Sequence, residues 1–210
     1  MKIGTIVIST ALAFSMASCG GASNTSSNKP GASPEVKKGV QPVADKEIAV
    51  IELENSAAYG TIKIELYSNI APKMVEQFKA LAKEGVYDGT TFHRINPSVI
   101  QGGDPLSKDD DPTNDGTGKS GKPNVIAEFS DIPYDTGIVG AARGQDNNSA
   151  NSQFFITLKR EPGFDNRYTI FGKVIEGMNN VRTISGVQPK DGERPVEPVR
   201  IKTIRIEPKP

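Results

Sequence analysis

The 210-residue chain has one cysteine, one histidine and no tryptophan. A single cysteine cannot form a disulfide within the chain, and without a Cys/His cluster the sequence offers no zinc site. A catalytic triad would have to be built around His93, since no other histidine is available. The 25 basic and 25 acidic side chains give a formal net charge of zero. We therefore expect no metal and no nucleic-acid partner.

The chain also has little continuous hydrophobic sequence. Its apolar run at residues 3–13 follows Lys2 and is too short to span a bilayer as a permanent helix. Together with the small residues that follow, this run predicts an export signal over residues 1–18. The sequence Met-Ala-Ser-Cys-Gly ending at Gly20 resembles a bacterial lipobox, with Met where Leu is usual, and predicts lipidation at Cys19. The alternative is an ordinary secretory signal with an incidental cysteine.

Large apolar residues are almost absent from the next segment. Residues 19–45 are rich in Ser, Gly, Asn, Pro and Lys, a composition that predicts a disordered tether. A flexible chain of that length spans roughly 25–30 Å on average. We therefore expect a folded domain at residues 46–207, held just clear of a membrane by the lipid on Cys19.

The periodicities of a folded domain begin at residue 46. Strict alternation of apolar residues predicts a strand at 61–66 with one buried face. A helix is predicted from Pro72 to Gly85, and a second between residues 177 and 185. Short runs rich in β-branched and aromatic residues predict further strands at 48–51, 91–95, 138–142, 153–157, 169–174 and 199–206. This pattern favours a mainly β fold with a closed or nearly closed antiparallel barrel.

The stretch 105–123 is rich in Asp, Gly, Lys and Ser and is predicted to be a surface loop. Its spacing of Asp111, Thr113 and Asp115 is weakly similar to a calcium-binding loop. The twelfth position of such a loop needs a bidentate Glu, and here it is Lys122. A plain solvated acidic loop is the preferred interpretation, so no metal site is predicted.

Two segments carry a specific pattern. Phe-His-Arg at 92–94 precedes Gln-Gly-Gly-Asp at 101–104, and Ser-Gln-Phe-Phe-Ile follows at 152–156. These segments resemble the signature motifs of the cyclophilins, and further matches cover residues 46–207 in the family's order. The resemblance implies a closed eight-stranded antiparallel β-barrel capped by two α-helices. It also implies peptidyl-prolyl cis-trans isomerase activity in a groove that takes a proline, with no cofactor and no metal.

The resemblance implies individual roles as well. Arg94 matches the family's catalytic arginine, Gln101 the glutamine that hydrogen-bonds the substrate backbone, and Phe155 the floor of the proline pocket. His93 matches a structural histidine. The predicted substrate-binding residues are Gln101, Val99, Ile100, Ala142, Arg143, Gln153, Phe155, Phe164 and Tyr168.

The sequence departs from the family pattern in two places. Between Arg94 and Gln101 the chain is one residue short, and the pocket phenylalanine is missing. We expect a turn at 96–98 to absorb the deletion, because a one-residue slip would otherwise turn later side chains to the other face. Val99 and Ile100 are expected to fill part of the gap. Gly163 falls where many members have tryptophan, which predicts poor cyclosporin sensitivity.

The leading functional hypothesis is therefore an isomerase, expected as a monomer in the cell envelope, that assists folding of exported or envelope proteins. Its partners would be proline-containing polypeptides, and a membrane would be contacted through the lipid on Cys19. The alternative is a proline-peptide binding chaperone with weak or no turnover. A purely structural lipoprotein would leave the groove motifs unexplained.

Overall fold

The computed structural model describes residues 34–187 and 192–210. Its helices are α1 (Ser56–Tyr59), α2 (Pro72–Lys83) and α3 (Met178–Ser185), with 3-10 turns at Pro105–Lys108 and Pro162–Phe164. Its strands are β1 (Val36–Lys37), β2 (Glu47–Leu53), β3 (Thr61–Leu66), β4 (Arg94–Ile95), β5 (Val99–Gly102), β6 (Phe129–Ser130), β7 (Ile138–Ala141), β8 (Phe154–Thr157), β9 (Ile170–Glu176) and β10 (Ile201–Pro208).

Eight strands form one antiparallel sheet in the order β10-β2-β3-β9-β7-β8-β5-β4. Over the described residues the end strands β10 and β4 do not pair with each other, so the sheet is open and curled. The predicted closed barrel is wrong in this respect. The physical reason is that β4 has only two residues, too few for a ladder with β10. The segments before these strands make isolated backbone contacts instead, including Phe92 N–H to Val199 O at 2.9 Å.

The curled sheet encloses an apolar core. The alternation that predicted β3 is confirmed, since Ile62, Ile64 and Leu66 are fully buried. Helix α2 begins at Pro72, which suits a first helical position because proline has no N–H to satisfy. It ends before Gly85, whose φ of 69° is the left-handed conformation of a helix C-terminus. Both predicted helices are present, and each buries its apolar face in this core.

A second apolar cluster lies on the opposite face of the sheet. It is built mainly from aromatic and branched side chains, and the half-buried Ala142, Phe164 and Tyr168 pack against it. Its buried members are Tyr67, Ile70, Val99, Tyr134, Ile138, Phe155 and Ile170. Because successive strand residues point to opposite faces, the same strands supply both the core and this cluster. We call it the outer cluster, and it positions the site described below.

The N-terminal described residues pack on the domain rather than leaving it at residue 45. Strand β1 pairs in parallel with β6, and the Lys37 ammonium donates to the Ile70 carbonyl at 2.6 Å. The Gly39 N–H donates to Asp131 at 2.8 Å. The predicted tether therefore differs from the structure over residues 34–45, because backbone pairing, which composition does not report, holds this segment.

The predicted export signal, lipobox and first part of the tether fall on residues 1–33, outside the described residues. Within the described ranges, no helix is both long and apolar enough to cross a membrane.

Candidate active site

Arg94 and Gln101 face each other across the hairpin of β4 and β5. They are directly paired in the strand register, and the Arg94 Nη1 donates to the Gln101 Oε1 at 3.1 Å. Paired residues of an antiparallel ladder project to the same face. The deletion between them has therefore not separated these two side chains.

The turn between the strands explains why. The Asn96 side-chain oxygen accepts from the backbone N–H groups of Ser98 and Val99, each at 2.9 Å. The Asn96 N–H donates to the Val99 carbonyl at 3.0 Å. Asn is suited to this role, because the oxygen of its short side chain can accept hydrogen bonds from backbone N–H groups two and three residues later in the chain. The turn thus takes up the missing residue, as the sequence predicted.

A cavity of about 80 Å³ opens beside this hairpin. It brings together eight predicted site residues: Arg94, Val99, Gln101, Ala142, Arg143, Phe155, Phe164 and Tyr168. The Phe155 ring is almost fully buried and makes edge-to-face contacts with Phe164 and Tyr168, with ring centroids 5.5 and 5.6 Å apart. Such rings offer an apolar surface to a small aliphatic ring.

Glycine at position 140 makes room for the floor of the cavity. Gly140 on β7 lies opposite Phe155 on β8. A Cβ added there would lie 2.7 Å from the Tyr134 hydroxyl oxygen and would overlap the Phe155 ring. The absent side chain therefore lets Phe155 lie against the strand.

Arg143 forms one rim of the cavity. Its guanidinium stacks over the Tyr168 ring, 4.6 Å from the centroid, and donates to the carbonyls of Gly144 and Arg167 at 2.8 and 2.9 Å. These contacts hold both Arg143 and Tyr168 in place. The neighbouring Ala142 N–H already donates to the Gln153 carbonyl at 2.9 Å, so Ala142 contributes its side chain to the cavity.

Gln153 lies in an adjoining cavity of about 240 Å³ that shares Gln101, Ala142 and Arg143 with the first. The Gln101 Nε2 donates to the Gln153 Oε1 at 2.9 Å. The Gln153 Nε2 in turn donates to the carbonyls of Gly116 and Gly118, each at 3.0 Å. This chain of hydrogen bonds connects the groove to the loop 105–123.

Ile100 is the exception among the predicted binding residues. It is fully buried in the core with Ile95 and Ile156, on the other face of the sheet. Its neighbour Val99 lines the cavity because adjacent strand residues project to opposite faces. The prediction that Ile100 fills the gap is therefore corrected, and Val99 alone occupies this position.

His93 is buried, with 6% of its surface exposed, and does not line the aromatic-floored cavity. Burial lowers the pKa of its imidazole below the ordinary 6.5, and the nearby Asp104 opposes the shift without reversing it. A neutral, buried imidazole fits the predicted structural role. Asp104 is itself fully buried, and its carboxylate accepts from the backbone N–H groups of Leu106 and Gly118 at 2.8 and 3.1 Å.

Glu193 contacts the site and was not found from the sequence. Its carboxylate pairs with the Arg94 Nε and accepts from the Asn96 Nδ2 at 2.8 Å. The hydrogen bond between Arg94 and Glu193 joins residues 99 positions apart. No local pattern could have predicted such a contact.

Across residues 34–187 and 192–210, no group of three or more His, Cys, Asp or Glu side chains is placed to hold a metal ion. The site described above consists of two arginines, two glutamines and an aromatic-floored cavity.

Comparisons with known proteins agree on one family. The family profile described as "Cyclophilin type peptidyl-prolyl cis-trans isomerase/CLD" matches residues 50–206. A probable peptidyl-prolyl cis-trans isomerase of Brucella suis is 43% identical over 139 residues, covering 63% of this chain and 71% of the relative. A peptidyl-prolyl cis-trans isomerase of Schizosaccharomyces pombe is 39% identical over 161 residues, covering 73% of this chain and 96% of the relative.

A solved structure is similar as well. A cyclophilin-type isomerase of Cryptosporidium parvum, crystallised in the presence of the dipeptide Ala-Pro, superposes with a TM-score of 0.68 at 30% identity. It covers 77% of this chain and 99% of the other. The chain therefore belongs to the cyclophilin-type peptidyl-prolyl cis-trans isomerases, and its activity is isomerisation of the peptide bond before proline.

Proposed function

We propose that this isomerase acts on exported or envelope proteins, assists their folding, and uses Arg94 as its catalytic group. The observation that carries the catalytic assignment is the position of Arg94. Its guanidinium lies at an aromatic-floored cavity, on the same face as Gln101 and Phe155.

The chemistry requires little more than such an arrangement. An X-Pro bond isomerises unaided in tens to hundreds of seconds, against a barrier of about 20 kcal/mol that comes from amide resonance. In the twisted transition state conjugation is lost and the prolyl nitrogen gains a lone pair. A fixed cation that donates to that nitrogen binds the twisted form better than either planar form. A thousandfold acceleration needs only about 4 kcal/mol of this preference.

The remaining site residues have binding roles in this proposal. Val99, Phe155, Phe164 and Tyr168 take the prolyl ring, while Gln101 hydrogen-bonds the backbone beside it. Val99 supplies less apolar surface than the phenylalanine of the family pattern. Loss of a large side chain is worth about 1–3 kcal/mol, so we expect weaker peptide binding than in a typical member. Gly163 is exposed in the turn Pro162–Phe164, and we expect poor cyclosporin sensitivity.

The envelope location is supported by the N-terminal sequence. The short apolar run followed by small residues and Cys19 is typical of a lipoprotein signal, and unfolded exported chains carry slow X-Pro bonds. Two or more acyl chains on Cys19 would anchor the enzyme stably, since each buried methylene contributes about 0.8 kcal/mol.

A proline-peptide binding chaperone with little turnover is the second candidate. Val99 in place of the aromatic residue favours it, whereas the direct pairing of Arg94 with Gln101 favours catalysis. The two candidates differ in what Arg94 does. Without Arg94 a binder keeps its peptide affinity nearly intact, whereas an isomerase loses most of its turnover.

Exchange NMR on a short X-Pro peptide separates them. With the full-length protein we expect accelerated exchange, and with Arg94→Ala a loss of most of that acceleration with little change in peptide affinity. Arg205→Ala is the matched control, because Arg205 is also a half-exposed, ion-paired strand arginine but lies on β10. Peptide binding without accelerated exchange in the unmodified protein would establish the chaperone instead.

The location has its own test. Cells grown with a fatty-acid label should yield labelled protein in the membrane fraction, and Cys19→Ala should lose both the label and the membrane association. An unlabelled mature protein whose N-terminus is not residue 19 would show an ordinary secretory signal.

A further inference from the structure

Glu193 makes a set of contacts that the family resemblance does not predict. This residue follows α3 in sequence, in the loop before β10. Its backbone carbonyl accepts from the Ile95 N–H at 2.6 Å. One carboxylate oxygen accepts from the Arg94 Nε and the other from the Asn96 Nδ2 at 2.8 Å. A single side chain thus holds both the catalytic arginine and the turn that absorbs the deletion.

These contacts fix the Arg94 guanidinium in orientation. Its Nε donates to Glu193 and its Nη1 to Gln101, whereas among the described residues the Nη2 has no hydrogen-bond partner. Contacts through two different nitrogens of a planar group fix both its plane and its rotation. Arg94 is 46% exposed, so packing alone would not restrict it to one conformation. The Nη2 is left as a donor for a substrate.

The residue after Glu193 connects to the other side of the groove. The Arg194 Nε lies 3.6 Å from the Asp115 carboxylate, and the Gly116 carbonyl beside it accepts from Gln153. Gln153 is bonded to Gln101, which is bonded to Arg94. The polar contacts therefore form a ring that begins and ends in the dipeptide 193–194, which is consistent with a supporting structure around the site.

We propose that Glu193 is a positioning residue for isomerisation, holding the Arg94 guanidinium in the orientation that meets the prolyl nitrogen in the transition state. The proposal rests on the catalytic role proposed for Arg94. Partial burial raises the pKa of Glu193, but hydrogen bonds from Arg94 and Asn96 outweigh it and bring that pKa below the ordinary 4.5. The carboxylate is therefore ionised at neutral pH and able to accept from both donors.

A different result is expected if the ion pair between Arg94 and Glu193 is merely structural. Exposed pairs contribute little to stability, and a half-exposed carboxylate is screened by solvent, so its charge alone changes the Arg94 field only modestly. Orientation has the larger effect, because a misplacement of about 1 Å in a reacting group can cost up to about a hundredfold in rate. Such a loss concerns the transition state and leaves ground-state peptide binding nearly unchanged.

The test compares Glu193→Gln and Glu193→Ala in the full-length protein with the unmodified enzyme. Glutamine keeps the size but offers one acceptor where Arg94 and Asn96 need two. We expect exchange NMR to show a roughly ten- to hundredfold loss in the peptide exchange rate at saturation. The peptide dissociation constant should stay within about twofold, as expected for an interaction that is made in the transition state. The Arg94 Nε–Hε resonance should shift or broaden in both variants.

Glu207→Gln is the matched control. Glu207 accepts from the Arg205 Nε at 2.8 Å on β10, away from the groove, so it is a similar pair without a catalytic arginine. Its replacement should leave the exchange rate and the Arg94 resonance unchanged. Adding Glu193→Gln to Arg94→Ala should cause no further loss, because Glu193 is proposed to act only through Arg94.

Three results would overturn the proposal. A normal exchange rate in both Glu193 variants, with Arg94→Ala impaired, would remove the role of Glu193 and leave that of Arg94 intact. An equal loss from Glu193→Gln in the Arg94→Ala background would show that Glu193 acts by another route. A normal rate in Arg94→Ala itself would reject the catalytic assignment on which the proposal rests.

Discussion

The two faces of strands β5 and β8 are built for different purposes. On the inner face Ile100, Phe154 and Ile156 are fully buried in an apolar core. On the outer face Val99, Gln101 and Phe155 line a small cavity beside polar groups that bond to one another. Residues that stabilise the fold and residues proposed to bind substrate are therefore separated by a single step along each strand, since successive side chains alternate.

The same separation occurs one element earlier. His93 is buried with a lowered pKa and does not line the aromatic-floored cavity, whereas its neighbour Arg94 is half exposed and does. One of these adjacent residues is therefore buried and the other lines the cavity, so replacing His93 should affect stability and replacing Arg94 should affect activity. Substitutions on each face test this contrast.

Replacing the inner aromatic should mainly cost stability. Phe154 contacts the rings of Phe78 and Tyr87, with centroids 5.7 and 5.9 Å apart. Phe154→Ala removes these contacts and leaves a cavity, which should lower the free energy of unfolding by about 3–5 kcal/mol in denaturant titration. A loss below about 1 kcal/mol would show that the inner face does not carry the stability assigned to it.

Gly140→Ala tests the fit between the two faces. The added methyl group would overlap Phe155, so the ring must move into the cavity or the strands must separate. Overpacking of this kind costs about 1–3 kcal/mol of stability and should also weaken peptide binding. Gly121→Ala is the control, since nothing lies within 4 Å of a Cβ there. Unchanged peptide affinity in Gly140→Ala, measured by NMR titration, would contradict the assigned floor of the cavity.

Phe155→Leu should mainly cost affinity. Leucine keeps much of the buried apolar volume but loses the flat ring that faces Phe164 and Tyr168. We expect the peptide dissociation constant to rise about tenfold, equivalent to about 1.4 kcal/mol, with a smaller loss of stability than in Phe154→Ala. If Phe154→Leu weakened the peptide equally, the proposed division between the faces would not hold.

His93 should make stability depend on pH. The unfolded chain titrates near 6.5, whereas burial lowers the pKa in the folded state. Below about pH 6.5 the unfolded state therefore binds a proton that the folded state does not, and stability falls as pH falls to the folded-state pKa. The slope is at most about 1.4 kcal/mol per pH unit.

Denaturant titrations between pH 7.5 and 5.5 measure this slope. No other histidine contributes, and Asp115, whose pKa is raised by burial, changes stability in the opposite direction. His93→Gln should flatten the dependence while the exchange rate of the X-Pro peptide stays near that of the unmodified enzyme. A large loss of that rate would instead place His93 in the catalytic machinery.

Much of the fold and site could be predicted from local pattern. The alternation in β3, the proline before α2 and the glycine after it each report a structural constraint on nearby residues, and all three agree with the structure. The composition of residues 96–98 fits a turn that absorbs the deletion, and Arg94 and Gln101 do share a face. Family resemblance then supplied roles that periodicity could not.

Local sequence patterns were enough to predict which residues alternate, where α2 and α3 lie, and which motif surrounds Arg94, because these are short-range properties of the chain. Four features come from tertiary contacts instead: the sheet stays open, residues 36–37 pair with β6, Ile100 points into the core, and Glu193 contacts Arg94. Each of these depends on strand register or on contacts between distant segments. Such contacts depend on how loops bring distant segments together, and the local sequence around each residue does not indicate them.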